Sequence, residues 1–432
     1  MASSPGPRLT RALQHRNFRL FFGGQSISLV GTWITRVATS WLVYRLTGSE
    51  LLLGVAGFAG QIPTLIFTPF AGVLVDRHDR RRILIVTQAL SLLQSALLAF
   101  LTFRGIITVN QIILLQVRQG VINSFDTPAR QAFVSEMVED RAHLPNAIAL
   151  NSSMVNGSRI IGPSIGGVLI AGFGEAWCFT IDAISYVAVI ASLMAMRVVP
   201  RERHREMEMH ILEELQHGWN YVMRSVPIRS ALLLVAIVSM AGTPYTVLMP
   251  AIAAQVLHGG PNTLGTLMMS VGVGALTGAL YLAQRESVVG LGRLIMYAAL
   301  VFGIGLIGFS FTTTLWTACI VLAIAGLGFM VQLAATNTLL QTIVEEKLRG
   351  RVMAYYTMAF FGTVPIGSLL GGLIADKYGS IVTVRLSGIV CLIGGAWFAY
   401  QLPAIRAAVR PIYRQLGIIT VPAVDTGAKT LT

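Results

Sequence analysis

Six charged side chains crowd into seven residues, Asp76-Arg77-His78-Asp79-Arg80-Arg81-Arg82, with long apolar runs on either side. Acids and arginines this close between membrane-length segments can form ion pairs that break and re-form as helices move, the chemistry of a gate. Gly72 lies one turn earlier, where a missing side chain would let a neighbouring helix approach. Three more charges fall inside apolar runs: Arg118, Asp126 eight positions later, and Asp182 with Tyr186 one turn on. Eight helical residues return to roughly the same face about 12 Å along the axis. Charge at membrane depth is costly and turns toward a polar cavity or a partner. Arg118 reads either as part of a proton relay, its charge easing proton release from a nearby acid, or as a structural arginine bonded to backbone carbonyls. Asp126 could be a protonation site. Asp182 reads as a proton carrier or as a structural polar contact, with Arg36 and Arg159 as possible partners. Glu50 and Glu175, near span ends, are expected to be solvated; Arg385 is expected to snorkel or to bind a carbonyl.

The rest of the chain offers little further chemistry. It has no H-E-x-x-H, no G-x-S-x-G, no phosphate-cradling G-x-x-x-x-G-K and no grouping of metal ligands. Cys178, Cys319 and Cys391 all fall inside apolar runs, without metal or disulfide spacing. The sequence therefore argues against an enzyme or an ATP-driven pump, and neither a metal nor a cofactor is expected.

The elements that must hold these residues are membrane spans. The 432 residues are 54% hydrophobic and 12% charged, against about 25% charged in soluble domains. A formal charge of +13 could suggest nucleic acid. The basic residues come instead in small clusters between apolar runs, so they report topology and no nucleic-acid partner is expected. At about 20 residues per span, twelve spans are predicted: 18–45, 51–75, 83–103, 108–131, 146–172, 177–197, 229–257, 263–284, 292–311, 315–340, 352–375 and 380–402. The loops and tails on one side hold 24 lysines and arginines; those on the other hold only Arg45, Arg104 and Lys377. That bias predicts both termini in the cytoplasm. The polar, basic start is followed by an apolar run too long for a cleaved signal peptide.

The spans divide six and six. The expected organisation is a tail over 1–17, a bundle over 18–197, a linker over 198–228, a second bundle over 229–402 and a tail over 403–432. In the linker, Ile211, Leu215 and Trp219 share one face of a potential surface helix, either a partner site or a plain tether. The halves repeat: Gly72 and Gly278, and Gly120 and Gly326, are each 206 apart. Val138-Glu139 matches Val344-Glu345, and Gly166-Gly167 matches Gly371-Gly372 at nearly that offset. Six-helix halves repeated in one orientation are a transporter architecture.

Twelve spans, this repeat and the 72–84 loop together resemble the major facilitator superfamily. Its signature G-x-x-x-D-R-x-G-R-R is matched by Gly72, Asp76, Arg77, Arg80 and Arg81, with Asp79 in place of a glycine. The second half has lost the acid, with Leu282 at the matching offset. Arg118-Gln119-Gly120 resembles the arginine signature of proton-coupled members. Gly162-Pro163-Ser164-Ile165-Gly166-Gly167 resembles the glycine–proline motif of antiporters. Phe125 to Phe133, with Asn156-x-x-Arg159-x-x-Gly162-Pro163, resembles the enterobactin-exporter-like branch, which also holds macrolide and multidrug efflux proteins. The resemblance implies an all-α membrane protein of two pseudo-symmetric six-helix bundles that exports amphiphilic small molecules on the proton gradient. It also implies a cytoplasmic gate in which Asp126 and Arg130 join Gly72, Asp76, Arg77, Arg80 and Arg81.

Gly162-Pro163 should bend the fifth helix. Gly166 and Gly167 there, and Gly371 and Gly372 beyond Pro365 in the eleventh, permit close crossings that serve either as hinges or as packing. The implied fold lines its cavity with the first, fourth, seventh and tenth helices, making Gln25, Thr32, Trp33, Arg36, Asn123, Tyr245, Gln332 and Asn337 candidates. The expected partners are a small-molecule substrate and the bilayer, for a monomer in the cell inner membrane. An importer of a nutrient and a transporter-derived scaffold or receptor are the competing readings.

Overall fold

The computed structural model describes residues 8–138, 140–197, 219–285 and 287–419, and the described chain is helical throughout its length apart from short connections. The first half comprises α1 (Arg16–Thr47), α2 (Glu50–Arg77), α3 (Arg80–Phe103), α4 (Val109–Phe133), α5 (Leu144–Phe173) and α6 (Glu175–Ala195). The second comprises α7 (Val226–Gly242), α8 (Pro244–Ala251) running into a π turn (Ile252–Val256), α9 (Pro261–Ala283), α10 (Leu291–Phe309), α11 (Leu315–Ile343), α12 (Glu346–Phe361), α13 (Thr363–Tyr378) and α14 (Ser380–Gln415).

Local chemistry sets the boundaries. Ser49 accepts a hydrogen bond from the Leu52 backbone to start α2. Asp79 accepts from the Arg82 backbone to start α3, and a Thr108–Gln111 capping box starts α4. Gly174 and Gly379 both sit at φ +86° and turn the chain before α6 and α14. A side chain is strained in that conformation, and the two turns occupy matching places in the repeat. Pro244 follows a break at Thr243, and Pro365 follows one at Gly362. Each proline lacks the N–H an unbroken helix would use.

Among the described residues, nine segments are long and apolar enough to cross a membrane: α2, α3, α6, α7 through the π turn, α9, α10, α11, α12 with α13, and α14. Helices α1, α4 and α5 are 32, 25 and 30 residues long, but they interleave more polar residues. Large apolar side chains such as Phe70, Trp316 and Tyr400 are exposed on the outside, as a lipid-facing surface requires. The last helix continues to Gln415, well past the apolar run that ends near 402. Most of the amphipathic stretch expected within the linker lies outside the described residues; its end, 219–224, is helical, and Trp219 stacks near Tyr355 of α12.

Within the first half, α1 packs on α5 and α6, α3 on α4 and α6, and α2 on α4. Within the second, α9 and α10 pack on α11, α10 also on α14, and α7 on α14. The halves meet chiefly along α5–α9 and α2–α13. The fifth segment of each half thus crosses the second segment of the other, an exchange with twofold pseudosymmetry.

Candidate functional site

Helix α1 carries Thr32, Trp33 and Arg36 to the centre of the protein. The Arg36 guanidinium lies 4.9 Å from the Trp33 ring centroid, and that of Arg159 on α5 lies 5.7 Å from it. The two cations are within electrostatic reach of each other, and Arg159 also of the Tyr245 hydroxyl. Arg36 and Thr32 keep exposed surface in the middle of α1, and Trp33 and Arg159 are half-buried beside them, as the lining of a cavity between helices would be. The break before Pro244 sets Tyr245 in place, against Phe302 with ring centroids 6.1 Å apart. Gly162 lets α5 come this close to α1, because a Cβ there would lie 2.3 Å from the Trp33 Cβ.

The two acids inside the spans face elsewhere. Asp182 Oδ2 accepts a hydrogen bond from Ser95 Oγ at 2.8 Å. Its Oδ1 has no partner, and neither has the nearby Thr35 Oγ1, both buried. Gly31 leaves the room, since a Cβ there would lie 2.8 Å from Oδ1. Asp182 pairs with neither Arg36 nor Arg159, because it points between α1 and α3 while they flank the indole. Asp126 accepts from Thr87 Oγ1 at 2.9 Å and Gln88 Nε2 at 2.8 Å, and Arg130 Nε stands 3.8 Å away. Between the acids, the Tyr186 hydroxyl is 3.5 Å from Thr32 Oγ1, and Gln119 donates to Ser91 at 3.3 Å and to Asn123 at 3.1 Å. A polar seam therefore runs through the first half. Its spine is a stripe on α3 (Thr87, Gln88, Ser91, Gln94 and Ser95), all buried. These residues recur at helical spacing, a signal present in the sequence but masked there by the leucines and alanines around it.

The gate loop differs from expectation. Arg80 bridges Asp76 at 3.0 Å and Glu136 at 2.7 Å, tying the start of α3 to the chain just after α4. Arg81 donates to the carbonyls of Leu193 and Met194 at 2.8 and 2.9 Å, closing the end of α6. Asp126 belongs with Arg130 and α3 and makes no bond to Asp76, Arg77 or Arg81, because it sits deeper between helices. Glu136 takes its expected place. Gly72 has no atom within 4 Å of a built Cβ, so no helix approaches it. Among the described residues, every hydrogen bond and ion pair of the loop is to its own half.

The opposite face is closed. Built Cβ atoms on Gly54 (α2) and Gly372 (α13) would each lie 2.8 Å from the other's Cα, and those on Gly167 (α5) and Gly265 (α9) 3.1 and 3.0 Å. Gly166 meets Ile34 within the first half, and Gly371 meets Pro244 within the second. Pro365 is buried beside them. Glu50 accepts from Ser380 Oγ across the halves, and Glu175 forms a two-pronged ion pair with Arg45. Both acids are buried rather than solvated, because each has a donor at the span end.

Other candidates separate. Asn123 is exposed, but Gln25 and Gln332 are buried among side chains rather than open to a cavity. Asn337 accepts from Gln341 at 2.6 Å. Arg118 is half-buried and pairs with neither an acid nor a carbonyl among the described residues. Arg385 lies over Phe311 and donates to Ser310 Oγ.

Residues 10–416 match the family described as transmembrane secretion effector. The chain is 27% identical over 384 residues to the staphyloferrin A transporter of Staphylococcus aureus, covering 87% of this chain and 94% of that one. It is 25% identical over 397 residues to macrolide efflux protein A of Streptococcus pyogenes, covering 88% and 96%. It is 28% identical over 396 residues to the multidrug efflux pump Tap of Mycolicibacterium fortuitum, covering 87% and 93%. Among solved structures, a D-xylose–proton symporter superposes with TM-score 0.68 at 15% identity, over 90% of this chain and 96% of that one. An inward-facing, occupied bacterial homologue of the lysosomal transporter Spinster gives 0.66 at 13%, over 98% and 100%. With its two exchanged bundles, this multi-pass membrane chain belongs to the transmembrane secretion effector family of major facilitator transporters, and is a transporter rather than an enzyme.

Proposed function

We propose that the chain exports amphiphilic small molecules from the cytoplasm by alternating access, in exchange for protons. One observation carries this reading: the halves touch through two glycine pairs on one face, while on the face with the basic loops nothing among the described residues approaches Gly72. In this reading all twelve segments cross the cell inner membrane, and the basic face is cytoplasmic. A cavity open on that face admits cargo from inside. Rocking of the halves then closes Gly72 and the exposed Asp76–Arg77 corner against the second half and parts the glycine crossings. The names of the relatives, two of them efflux proteins, support the outward direction. The seam from Asp182 to Asp126 supplies acids and hydroxyls at helical intervals along which a proton can move, with Asp182 as a carrier. The transporter works as a monomer, with substrate and lipid as partners and no cofactor.

The test uses everted membrane vesicles and a panel of fluorescent amphiphiles. An interior-acid gradient should drive dye accumulation, a protonophore should abolish it, and Asp182→Asn and Asp126→Asn should lower it. Accumulation only in right-side-out vesicles would reverse the direction. Accumulation indifferent to the protonophore would remove proton exchange.

A further inference from the structure

We propose that the central cavity is an anion site: Arg36 and Arg159 hold a carboxylate- or sulfonate-bearing amphiphile whose apolar body lies against Trp33. The inference deepens the export reading by naming its substrate class, and it depends on that reading only for direction.

The argument is one of unbalanced charge. Two guanidinium groups flank one indole at mid-membrane. Cations inside a membrane protein are expected to meet a carboxylate. Of the 19 acids in the sequence, only Asp126 and Asp182 lie deep within spans; Glu50, Glu175 and Asp376 are at span ends. Asp126 is held by Thr87, Gln88 and Arg130, and Asp182 by Ser95. Neither arginine forms an ion pair or a side-chain hydrogen bond with any described residue, and the groups facing them are aromatic: the Trp33 ring and the Tyr245 hydroxyl. The second half brings no acid, since Arg385 is its one charge deep in a span. Two like charges near each other destabilise the empty site, and an anion between them removes the conflict. Guanidinium forks match carboxylate or sulfonate oxygens in pairs. The indole offers an apolar platform for the remainder, with the buried Tyr245 ring behind it. A cationic amphiphile would find repulsion there and no counter-charge.

The test is binding to the full-length protein in phosphatidylcholine nanodiscs, read with two probes of one fluorophore and opposite charge, dansyl glutamate and dansylcadaverine. Dansyl glutamate should bind at least tenfold more tightly. Arg36→Gln and Arg159→Gln should each weaken it by roughly tenfold, the size of one lost charge-assisted hydrogen bond, and Arg36→Lys should recover part of the loss. The comparison of probes on the unaltered protein needs no variant to fold. Equal or tighter binding of dansylcadaverine, or unchanged dansyl glutamate binding in both glutamine variants, overturns the proposal. Phosphatidylglycerol added to the disc should not compete; competition would reassign the site to a lipid headgroup and overturn a soluble cargo. Energised efflux confined to dansylcadaverine would sink the anion site and keep the exporter. Dansyl glutamate binding without any energised efflux would do the reverse.

Discussion

The two halves share a fold and divide the labour. In the first, α3 buries Thr87, Gln88, Ser91, Gln94 and Ser95 against α4 and α6. In the second, α10 buries Ile295, Ala298, Ala299, Phe302 and Leu306. Where α6 presents Asp182, the matching stretch of α14 presents Ser387 and Gly388. Gly388 and Gly303 pack so closely that a Cβ on either would lie within 2.9 Å of the other's carbonyl oxygen. A polar contact in one half is thus a dry crossing in the other. Polar contacts between helices can rearrange at little net cost, whereas close-packed ones resist deformation. The comparison teaches that the first half buries a polar seam where the second buries a dry, close-packed crossing.

Four measurements can break or sharpen that contrast. The largest effect is expected from Asp182→Asn, which should reduce proton-driven accumulation in everted vesicles to that of membranes without the protein. Ser387→Ala at the matching site should change it by less than about threefold, the factor equivalent to ~0.6 kcal/mol. Equal losses would end the division of labour. Next, Gly372→Val drives a side chain into the Gly54 backbone, and overpacking of this kind costs about 1–3 kcal/mol. It should part the closed face, so that a cysteine placed at Val247, which lies in α8 against Gly57 of α2, in a background lacking Cys178, Cys319 and Cys391, reacts faster with an impermeant maleimide from that side. Unchanged labelling would show that the glycine pairs do not hold the face shut. Glu136→Gln should lower unfolding stability by roughly 1–3 kcal/mol, as expected for losing a shielded, charge-assisted bond. A melting curve identical to that of the parent would show that Arg80 needs only Asp76. The smallest change is expected from Ser95→Ala, about 0.6 kcal/mol in stability, accompanied by slower proton-driven transport. A full-rate variant would remove Ser95 from the seam.

Much of the fold could be read from hydropathy, because a span is a local property: each apolar run holds helix, and the turns at Gly174 and Gly379 repeat at a matching place. The charge cluster at 76–82 and the glycines Gly166-Gly167 and Gly371-Gly372 were visible in the sequence for the same reason. Partnership was not. Nothing in spacing joins Arg80 to Glu136, or Gly167 to Gly265, since such pairs depend on which helices cross. Gln25 and Gln332 were cavity candidates because they lie on helices that line the cavity in the implied fold, yet both are buried in packing. The α3 stripe is the reverse case, its polar side chains hidden by the apolar ones that face outward.

Two guanidinium groups on one indole give the cavity an electrical sign. With an anion as cargo, the charge that leaves and the proton that enters move current in the same direction. An inside-negative voltage then assists both, supplying about 2.3 kcal/mol per charge for each 100 mV. A cation traded for one proton would cancel that current. If the cargo is an anion exchanged for a proton, as proposed, the placement of Arg36 and Arg159 would make turnover electrogenic, powered by voltage as well as by acidity.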